Sequence, residues 1–340
     1  MPTSTEGMVA EARALITGIN GFVGSHLAEY LLAHTDWHIC GTVYGRLDNI
    51  AEIRDQLTLF PAELSREQVV DYILEETRPH YVFHLAAQPV PSASRVDPWF
   101  TLENNIRLQL NLLEGIVRLG LQPRVLVVGS SEEYGAVHPS DLPVDEETPL
   151  RPLNAYGLSK IAQDFMGLQY YLSHGLPIIR VRPFNHIGPR QRPGFVAADF
   201  ARQIAAAEAG LQEPVVSVGN LDVSRDFSDV RDVVRAYHAL MLQGQPGEVY
   251  NVGSGEAHSV RELLDLLLSL SDRPIEVRQD PARVRPTEVP CLVCDASKLR
   301  RATQWEPRIP FAQSLRDVLD YWRAQMARET AQARETRSGG

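Results

Sequence analysis

The sequence predicts an α/β protein with a doubly wound parallel sheet of the Rossmann type and a smaller C-terminal α/β lobe. Short apolar or β-branched runs alternate with helical patterns over residues 13–182. This alternation is typical of a parallel sheet that carries helices on both faces. Residues 81–87 are nearly all apolar, as expected of a strand that is buried on both sides. A glycine-rich turn also joins the first predicted strand to the first predicted helix.

The glycine-rich turn follows the run 13–17 and precedes a helical pattern over 25–33. Its glycines have the spacing G-x-x-G-x-x-G, and in a strand–turn–helix context such glycines let the backbone approach a pyrophosphate at a helix N-terminus. A plain tight turn is the alternative. The candidate cofactor-binding residues here are Gly18, Gly21, Phe22, Val23 and Gly24.

The end of the second predicted strand, at 38–43, bears on the type of dinucleotide. A site for NAD has an acidic residue at this place, but here the chain reads Tyr44-Gly45-Arg46 and the first acid is Asp48. Arg46 could bind a 2′-phosphate, so we expect NADP(H) to be preferred and NAD(H) to be possible. An exposed loop arginine is the alternative. Leu85 and the small residues Ala86 and Ala87 would let the cofactor pass close to the end of a neighbouring strand.

The same alternation gives the limits of the lobes. Strands are predicted for the sheet at 13–17, 38–43, 57–60, 81–87, 125–128 and 177–182. After Pro183 the rhythm changes to turns and mixed elements. The predicted divisions are a flexible tail over 1–12, a dinucleotide-binding domain over 13–183, a second lobe over 184–325 with some chain exchange between lobes, and a flexible tail over 326–340.

Composition and charge exclude several classes of protein. The 340 residues carry a formal net charge of −10, whereas nucleic acids and anionic membranes are bound by basic surfaces. No apolar stretch approaches the ~20 residues of a membrane span, and residues 1–11 lack the apolar core of a signal peptide. Cys291 and Cys294 form a C-x-x-C in a strand-like run without a second pair at zinc spacing. We expect a cytoplasmic protein that binds no nucleic acid, membrane or metal.

A hydroxyl, a phenol and an ammonium form the candidate catalytic group. Tyr156 and Lys160 are four residues apart, a spacing that places both on one face of a helix. Ser130 follows the apolar run 125–128 and should stand at the end of a strand. A tyrosine titrates near pH ~10, and a nearby ammonium favours its phenolate. Such a group can give a proton to a carbonyl or take one from a hydroxyl. An exposed helical pair is the alternative.

Taken together, these motifs resemble the extended short-chain dehydrogenase/reductase family that acts on nucleotide sugars. The matching runs lie at 17–24, 84–87, 130, 156–160 and 226–232, and the resemblance covers about residues 14–321. Further runs, at 129–135, 184–189, 219–227 and 285–290, are similar to the branch that reduces GDP-4-dehydro-6-deoxy-D-mannose. The resemblance implies NAD(P)H-dependent reduction of the C4 ketone of that GDP-sugar to GDP-6-deoxy-D-mannose (GDP-D-rhamnose).

The resemblance also implies roles for individual residues. Tyr156 is the proton donor at the sugar C4 oxygen, Ser130 hydrogen-bonds the same oxygen, and Lys160 holds the nicotinamide ribose and lowers the pKa of the tyrosine. Asn105 matches a structural asparagine of the family. The lobe over 184–325 binds the nucleotide sugar. The candidate substrate contacts are Ser94, in a polar loop, and Ser130, Asn185, Arg225, Arg285 and Glu288.

Two points stay open beside these roles. The arginines could be ordinary surface charges. The helices at 102–119 and 156–174 pair in many relatives as the four-helix bundle of a dimer, so a homodimer is expected.

Glu132 leaves the direction of the chemistry open. In the related GDP-mannose 4,6-dehydratases, a Ser/Thr-x-Glu at this place supplies the base at C5, and Ser130-Ser131-Glu132 fits that pattern. The cofactor turn, with Asn20, Phe22 and Val23, differs from the dehydratase pattern and favours the reductase. A non-catalytic NADP-binding sensor or scaffold is a second alternative, which the intact Ser130, Tyr156 and Lys160 disfavour.

Overall fold

The computed structural model describes residues 11–91, 93–284 and 289–338. Its strands are β1 (Arg13–Thr17), β2 (His38–Val43), β3 (Thr58–Pro61), β4 (Tyr81–His84), β5 (Arg124–Val128), β6 (Ile178–Pro183), β7 (Asn185–Ile187), β8 (Val215–Val218), β9 (Ser224–Asp229), β10 (Val249–Val252), β11 (Ala257–Ser259), β12 (Glu276–Gln279) and β13 (Cys291–Leu292). Its helices are α1 (Phe22–His34), α2 (Glu67–Thr77), α3 (Ala93–Val96), α4 (Pro98–Arg118), α5 (Ala155–His174), α6 (Val196–Glu208), α7 (Val230–Gln243), α8 (Val260–Ser269), α9 (Ser297–Thr303) and α10 (Phe311–Ser338).

The main sheet has seven strands in the order β10-β6-β5-β4-β1-β2-β3, and every neighbouring pair is parallel. One face packs against α1 and α7, and the other packs against α2, α4 and α5. Burial on both faces explains why these strands are rich in apolar residues. The doubly wound parallel sheet of the prediction is confirmed. The strand order reverses between β1 and β4, which is where ligands bind in sheets of this kind.

The second lobe packs small sheets against three helices. A four-stranded sheet has the order β11-β9-β13, with β7 added beside β9, and β12 pairs with β8. The apolar faces of α6, α8 and α10 meet over this lobe and form its core. Because β7 follows directly on β6 of the main sheet, the lobe begins beside the carboxyl end of the sheet.

The structure differs from the sequence prediction at two elements. β10 pairs with β6 and becomes the seventh strand of the main sheet, although it belongs to the second half of the chain, for which a separate lobe was predicted. The last helix, α10, continues to Ser338, where a flexible tail was expected from residue 326. Met326 is buried in the core of the second lobe, so this part of the helix is held by packing.

Two classes of feature were searched for in the described residues. None of the helices there combines the length and the apolar composition that crossing a membrane requires. Within the same residues, no group of three or more His, Cys, Asp or Glu side chains is arranged to hold a metal ion.

Candidate active site

A cleft of about 1550 Å³ opens at the carboxyl ends of the central strands, between the main sheet and the second lobe. It brings together most of the predicted site residues, although they are far apart in the sequence. Those that line it are Gly18, Gly21, Phe22, Val23, Gly24, Arg46, Leu85, Ala86, Ala87, Ser130, Glu132, Tyr156, Lys160, Asn185 and Arg225. The predicted contacts Arg285 and Glu288 lie outside the described residues.

The glycine turn between β1 and α1 is shaped for close approach. Gly18 has a φ of 70°, which a residue with a side chain rarely adopts. A Cβ at Gly24 would collide with the carbonyl oxygen of Gly18. The N-terminus of α1, at Phe22, opens into the cleft, and such a terminus favours negative charge. The turn therefore fits the pyrophosphate of a dinucleotide, as its spacing predicts.

Thr17 ties this turn to the end of β4. Its hydroxyl accepts hydrogen bonds from the backbone N–H groups of Leu85 at 3.0 Å and Ala86 at 3.1 Å. The same oxygen lies 2.9 Å from Nδ1 of the buried His84. Because the hydroxyl already accepts two bonds, it donates to Nδ1, and the ring hydrogen is therefore assigned to Nε2. Burial, with the charge of Lys160 adding to it, lowers the pKa of His84 to about 3, consistent with a neutral ring.

Arg46 lies just after β2, on the rim of the cleft. Its side chain is 89% exposed and pairs with Asp48 at 2.6 Å. The amide of Asn20 donates to the carbonyl oxygens of Tyr44 and Arg46 and so fixes the backbone of this loop. The guanidinium is free to turn towards a ligand, because an exposed ion pair of this kind is weak.

Ser130, Tyr156 and Lys160 lie together at the floor of the cleft. Ser130 precedes a single turn over Ser131–Glu133 that follows β5, and its hydroxyl is hydrogen-bonded to the phenol of Tyr156. Tyr156 stands in the first turn of α5, which begins after Asn154; the Asn154 side chain accepts the N–H of Gly157 at 2.8 Å. Lys160 Nζ donates to the carbonyl oxygen of Val128 at 2.9 Å. The predicted catalytic group is thus assembled by the ends of β5 and α5.

The electrostatics of this group differ from one expectation. Burial raises the pKa of Tyr156 above its usual value, and the hydrogen bond from Ser130 opposes this. The charge of Glu132 adds to the rise, as does that of Glu133 when Glu133 is ionised. Burial lowers the pKa of Lys160 to about 8, and Glu133 opposes that shift. The predicted lowering of the phenol pKa by Lys160 does not appear, because burial dominates. Tyr156 is therefore a neutral phenol at pH 7, which is the form that can give a proton.

The predicted substrate contacts occupy different environments. Asn185 is exposed to the cleft at the start of β7. Arg225, on β9, lines the cleft, and its Nη1 donates to the carbonyl oxygens of Ser224 and Val289 at 2.8 Å. Ser94 is buried and donates to the carbonyl oxygen of Pro91 at 2.8 Å; it is not among the described residues that line the cleft. Its role as a substrate contact stays a prediction.

The side chain of Asn105, on α4, connects this helix to α5 and to the segment that follows β4. Its Oδ1 accepts the N–H of Gln88 at 2.7 Å, in the segment that follows β4. Its Nδ2 donates to the hydroxyl of Ser159 at 2.9 Å, and Ser159 is the residue before Lys160. The side chain is fully buried. Asn105 thus holds α4, α5 and the segment after β4 in register, the kind of contact that a structural asparagine makes.

Comparison with known proteins places these features in a family. The sequence profile described as GDP-mannose 4,6 dehydratase matches residues 15–318. The chain belongs to this family. It is 40% identical over 319 residues to the GDP-6-deoxy-D-mannose reductase of Pseudomonas aeruginosa, covering 93% of this chain and 99% of the relative. It is 29% identical over 351 residues to the GDP-mannose 4,6 dehydratase of Homo sapiens, covering 93% of each.

Solved structures of similar proteins carry related cofactors. The structure described as RMD from Pseudomonas aeruginosa complexed with NADPH has a TM-score of 0.81 and 36% identity, covering 92% of this chain and 99% of that one. A UDP-glucose 4-epimerase of Thermus thermophilus in complex with NAD also has a TM-score of 0.81, with 30% identity and coverage of 92% and 99%. Both likenesses extend over both lobes of this member of the GDP-mannose 4,6 dehydratase family.

Within this family member, Glu132 is placed to face a ligand. Its side chain is half-buried and lines the cleft, and its Oε2 accepts a hydrogen bond from Asn154 Nδ2 at 2.8 Å. Its charge also reaches Tyr156, whose pKa it raises. The geometry therefore leaves Glu132 available for chemistry and does not by itself choose between the two reactions of the relatives.

Other residues of the site were not predicted from the sequence. The ring of Phe22 stacks on His186 of the second lobe with centroids 5.9 Å apart, so the cofactor turn touches β7. Beneath Ser130, the acid Glu133 is fully buried and bonded to Arg182. The signal for the second feature was in the strand 177–182, where two arginines alternate with apolar residues in a strand predicted to be buried. Buried arginines require acidic partners.

Proposed function

We propose that this protein is an NAD(P)H-dependent reductase that converts the C4 ketone of GDP-4-dehydro-6-deoxy-D-mannose to GDP-6-deoxy-D-mannose (GDP-D-rhamnose). The observation that carries the proposal is the phenol of Tyr156, hydrogen-bonded to Ser130 at the floor of a cleft whose wall contains a dinucleotide turn. The 40% identity to a GDP-6-deoxy-D-mannose reductase over nearly the whole chain supports the substrate.

In this mechanism the protein supplies the proton and the positions of the reactants. The bound nicotinamide would supply a hydride to C4. Tyr156 gives its phenolic proton to the C4 oxygen, and Ser130 donates a hydrogen bond to the same oxygen, which stabilises the developing charge. Lys160 holds the nicotinamide ribose with its ammonium group. Each reduction thus adds one hydride at carbon and one proton at oxygen, and a hydroxyl replaces the ketone.

The cofactor is held by residues on the sheet side of the cleft, with NADP(H) preferred and NAD(H) possible. The glycine turn binds the pyrophosphate, and Ala86 and Ala87 leave room beside it. Arg46 binds the 2′-phosphate, since no carboxylate stands directly at the end of β2 to take a ribose instead. The NADPH complex of a similar structure supports this preference.

The GDP-sugar is held by residues on the lobe side. Asn185 and Arg225 contact the diphosphate and nucleotide, for which a guanidinium offers paired donors. Arg285 and Glu288 are further contacts in this proposal on the resemblance alone, and Ser94 is a further contact because the sequence around it predicts a polar loop.

A GDP-mannose 4,6-dehydratase is the second candidate, and the position of Glu132 in the cleft favours it. There, Glu132 would take the proton from C5 of the sugar while water leaves from C6. The deciding experiment gives the purified protein either GDP-mannose with NADP⁺, or GDP-4-dehydro-6-deoxy-D-mannose with NADPH. Product from the second mixture alone supports the reductase, and product from GDP-mannose supports the dehydratase. NADPH binding without turnover of either sugar would indicate a sensor or scaffold.

We further propose a homodimer through α4 and α5. These helices pack side by side and expose large apolar side chains, a feature of surfaces that bind other proteins. On the two helices these are Trp99, Phe100, Leu110, Leu158, Phe165 and Leu172. Sedimentation equilibrium at micromolar concentration should give twice the mass of the chain. A cytoplasmic location is proposed from the free state of Cys40, Cys291 and Cys294, since free thiols persist in reducing compartments.

The division of labour between lobes is also a proposal. Residues 13–183 bind the cofactor and residues 184–325 bind the nucleotide sugar. One segment crosses between the lobes: β10 lies in the main sheet, although its residues fall within the range 184–325.

A further inference from the structure

A buried acid lies directly beneath the catalytic group. Glu133 ends the single turn after β5, and its side chain is fully buried. Its Oε1 accepts the backbone N–H of Ser130 at 2.8 Å, while the hydroxyl of Ser130 accepts the N–H of Glu132 at 3.2 Å. These bonds form a capping box. The orientation of the Ser130 hydroxyl, which meets the phenol of Tyr156, is thus coupled to Glu133.

Glu133 belongs to a buried network with a second acid, Asp164, and two arginines. Arg182 Nε donates to Glu133 Oε2 at 3.1 Å and to Asp164 Oδ2 at 2.9 Å. Arg180 Nη1 donates to Asp164 Oδ1 at 2.8 Å. All four side chains are buried. Asp164 lies one helical turn beyond Lys160 on α5, so the network joins the turn that carries Ser130 to the helix that carries the other catalytic side chains.

The two acids of this network lie close enough to share a proton. The carboxyl groups of Glu133 and Asp164 accept from the same Arg182 nitrogen and are within hydrogen-bonding reach of each other. A carboxylate only accepts, so a hydrogen bond between two of them needs a proton on one. Burial, with the charge of Asp164 adding to it, raises the pKa of Glu133 well above its usual range, although the charge of Arg182 and the N–H of Ser130 oppose the shift. The direction of this shift favours the protonated form of Glu133.

The charge state of Glu133 matters for the chemistry above it. A negative charge at Glu133 raises the pKa of both Tyr156 and Lys160, which weakens the phenol as a proton donor. A protonated Glu133 adds no such charge. The charged and titratable groups that surround it come from α5, from β6 and from its own turn: Tyr156, Lys160, Asp164, Arg180, Arg182, Glu132 and Tyr134.

We propose that Glu133 is a positioning residue, which as a protonated acid orients Ser130 and keeps negative charge away from Tyr156 and Lys160. It acts through Ser130 and touches neither sugar nor nicotinamide. The catalytic part of this statement rests on the proposed reductase, whereas the shared proton is a property of the protein alone.

Two substitutions of Glu133 distinguish its hydrogen-bonding role from a role for its negative charge. Glu133→Gln keeps a carbonyl oxygen for the N–H of Ser130 and an N–H donor for Asp164, as the protonated acid does. It should keep kcat within about three-fold of the wild type, because the acceptor for Ser130 is retained. The bond from Arg182 Nε to position 133 is lost, but this nitrogen keeps Asp164 Oδ2 as its acceptor. Glu133→Leu removes the acceptor, and misplacement of Ser130 should lower kcat about 100-fold, with KM for NADPH changed less than about three-fold.

A matched control is another buried acid away from the cleft. Asp232 accepts the backbone N–H groups of Arg308 at 2.8 Å and Ile309 at 2.9 Å and pairs with Arg235. Asp232→Asn should lower the melting temperature without changing kcat or its pH profile. If Glu133→Gln loses as much kcat as Glu133→Leu, or shifts the pH profile of kcat, the acid acts as a carboxylate and the proposal is wrong. A Glu133→Leu protein with full kcat would also overturn it.

Infrared spectroscopy tests the proton itself and needs no substrate. The wild type at pH 7 should show the C=O stretching band of a buried protonated carboxyl group, and Glu133→Gln should lack it. Absence of that band from the wild type overturns the proposal even if Glu133→Leu does not fold. If the band is present and no ketone is reduced, the proposed reductase function fails while the shared proton stands.

Discussion

The phenol of Tyr156 can be removed with little disturbance to its surroundings. Tyr156→Phe keeps the ring, which is buried against the floor of the cleft, and deletes the hydroxyl that bonds to Ser130. Loss of that one hydrogen bond should cost about 1 kcal/mol of folding stability. The bond from Lys160 Nζ to the carbonyl oxygen of Val128 does not involve the phenol, and neither does the glycine turn. The cofactor site should therefore survive the substitution.

The effect on turnover should be much larger than the effect on stability. Positioned proton transfer contributes about 10²- to 10⁴-fold to a rate, which is about 3 to 5 kcal/mol of transition-state free energy. Since burial keeps Tyr156 neutral at pH 7, the substitution removes the donor form that is actually populated. The Ser130 hydroxyl remains, so some reduction should persist. We expect kcat to fall by at least about 100-fold.

The assay follows NADPH absorbance with GDP-4-dehydro-6-deoxy-D-mannose, and NADPH binding is measured separately by fluorescence. The matched control is Tyr170→Phe, a buried phenol on the same helix that bonds to Glu114 and lies away from the cleft. It should retain kcat. Full activity in Tyr156→Phe would refute the assignment of the proton donor. Loss of NADPH binding in Tyr156→Phe would show that the fall in rate has a different cause.

Three further substitutions test the surroundings of this group. Glu132→Gln should keep ketone reduction within about three-fold, because a reductase needs no base at C5; a loss of about 100-fold or more would favour the dehydratase. Arg46→Ala should raise KM for NADPH about ten-fold or more, since a charged hydrogen bond is worth about 1.5–3 kcal/mol, and should leave KM for NADH unchanged. An equal rise in KM for both cofactors would contradict the binding of the 2′-phosphate by Arg46, and so would the same rise in the exposed control Arg54→Ala. His84 has its pKa lowered from 6.5 to about 3, so it stabilises the fold above pH 6.5 and this contribution is lost as pH falls towards 3. Between pH 7 and pH 5 the wild type should lose about 2 kcal/mol more unfolding free energy than His84→Gln. If His84→Gln loses as much unfolding free energy over this range as the surface control His138→Gln, the prediction is wrong.

The sheet was predictable because its signals are local. Each strand of the first half is a short apolar run, and parallel strands place their carboxyl ends on one edge. That rule alone brings Ser130, Ala86 and the glycine turn to one cleft, although more than a hundred residues separate the first from the last. The helical spacing of Tyr156 and Lys160 then adds the remaining two side chains.

The misplaced elements show where local signals stop. The apolar composition of the run that forms β10 would suit a strand of either lobe. Only its long-range pairing with β6 assigns it to the main sheet. At the C-terminus, polarity indicated a frayed tail from residue 326. The residues there are mainly Ala, Arg, Glu and Gln, which are good helix formers. A polar composition therefore did not exclude the long helix α10.

The electrostatics of the site could not be read from spacing. The four-residue spacing of Tyr156 and Lys160 indicates proximity, but the direction of a pKa shift depends on burial and on every nearby charge. Here burial raises the pKa of the phenol, and an ionised form of either adjacent acid, Glu132 or Glu133, adds to the rise. The sequence did contain the second of these, Glu133, beside the first, but nothing in it showed which of two adjacent acids would be buried.

The turn at Ser131–Glu133 explains how adjacent acids take different environments. In a turn of this type successive side chains point about a third of a circle apart, so Glu132 faces the cleft while Glu133 faces the buried arginines. A reductase needs the turn for the Ser130 hydroxyl, whereas a dehydratase needs in addition the carboxylate of Glu132. The same substitution at both positions therefore carries different information. Replacement by Gln at 132 removes a charge that a ligand would meet, and replacement by Gln at 133 imitates an acid that is already neutral. If ketone reduction survives both substitutions, it requires only Ser130 and Tyr156 above the turn. If activity is lost in Glu132→Gln but not in Glu133→Gln, Glu132 acts as a base in the cleft.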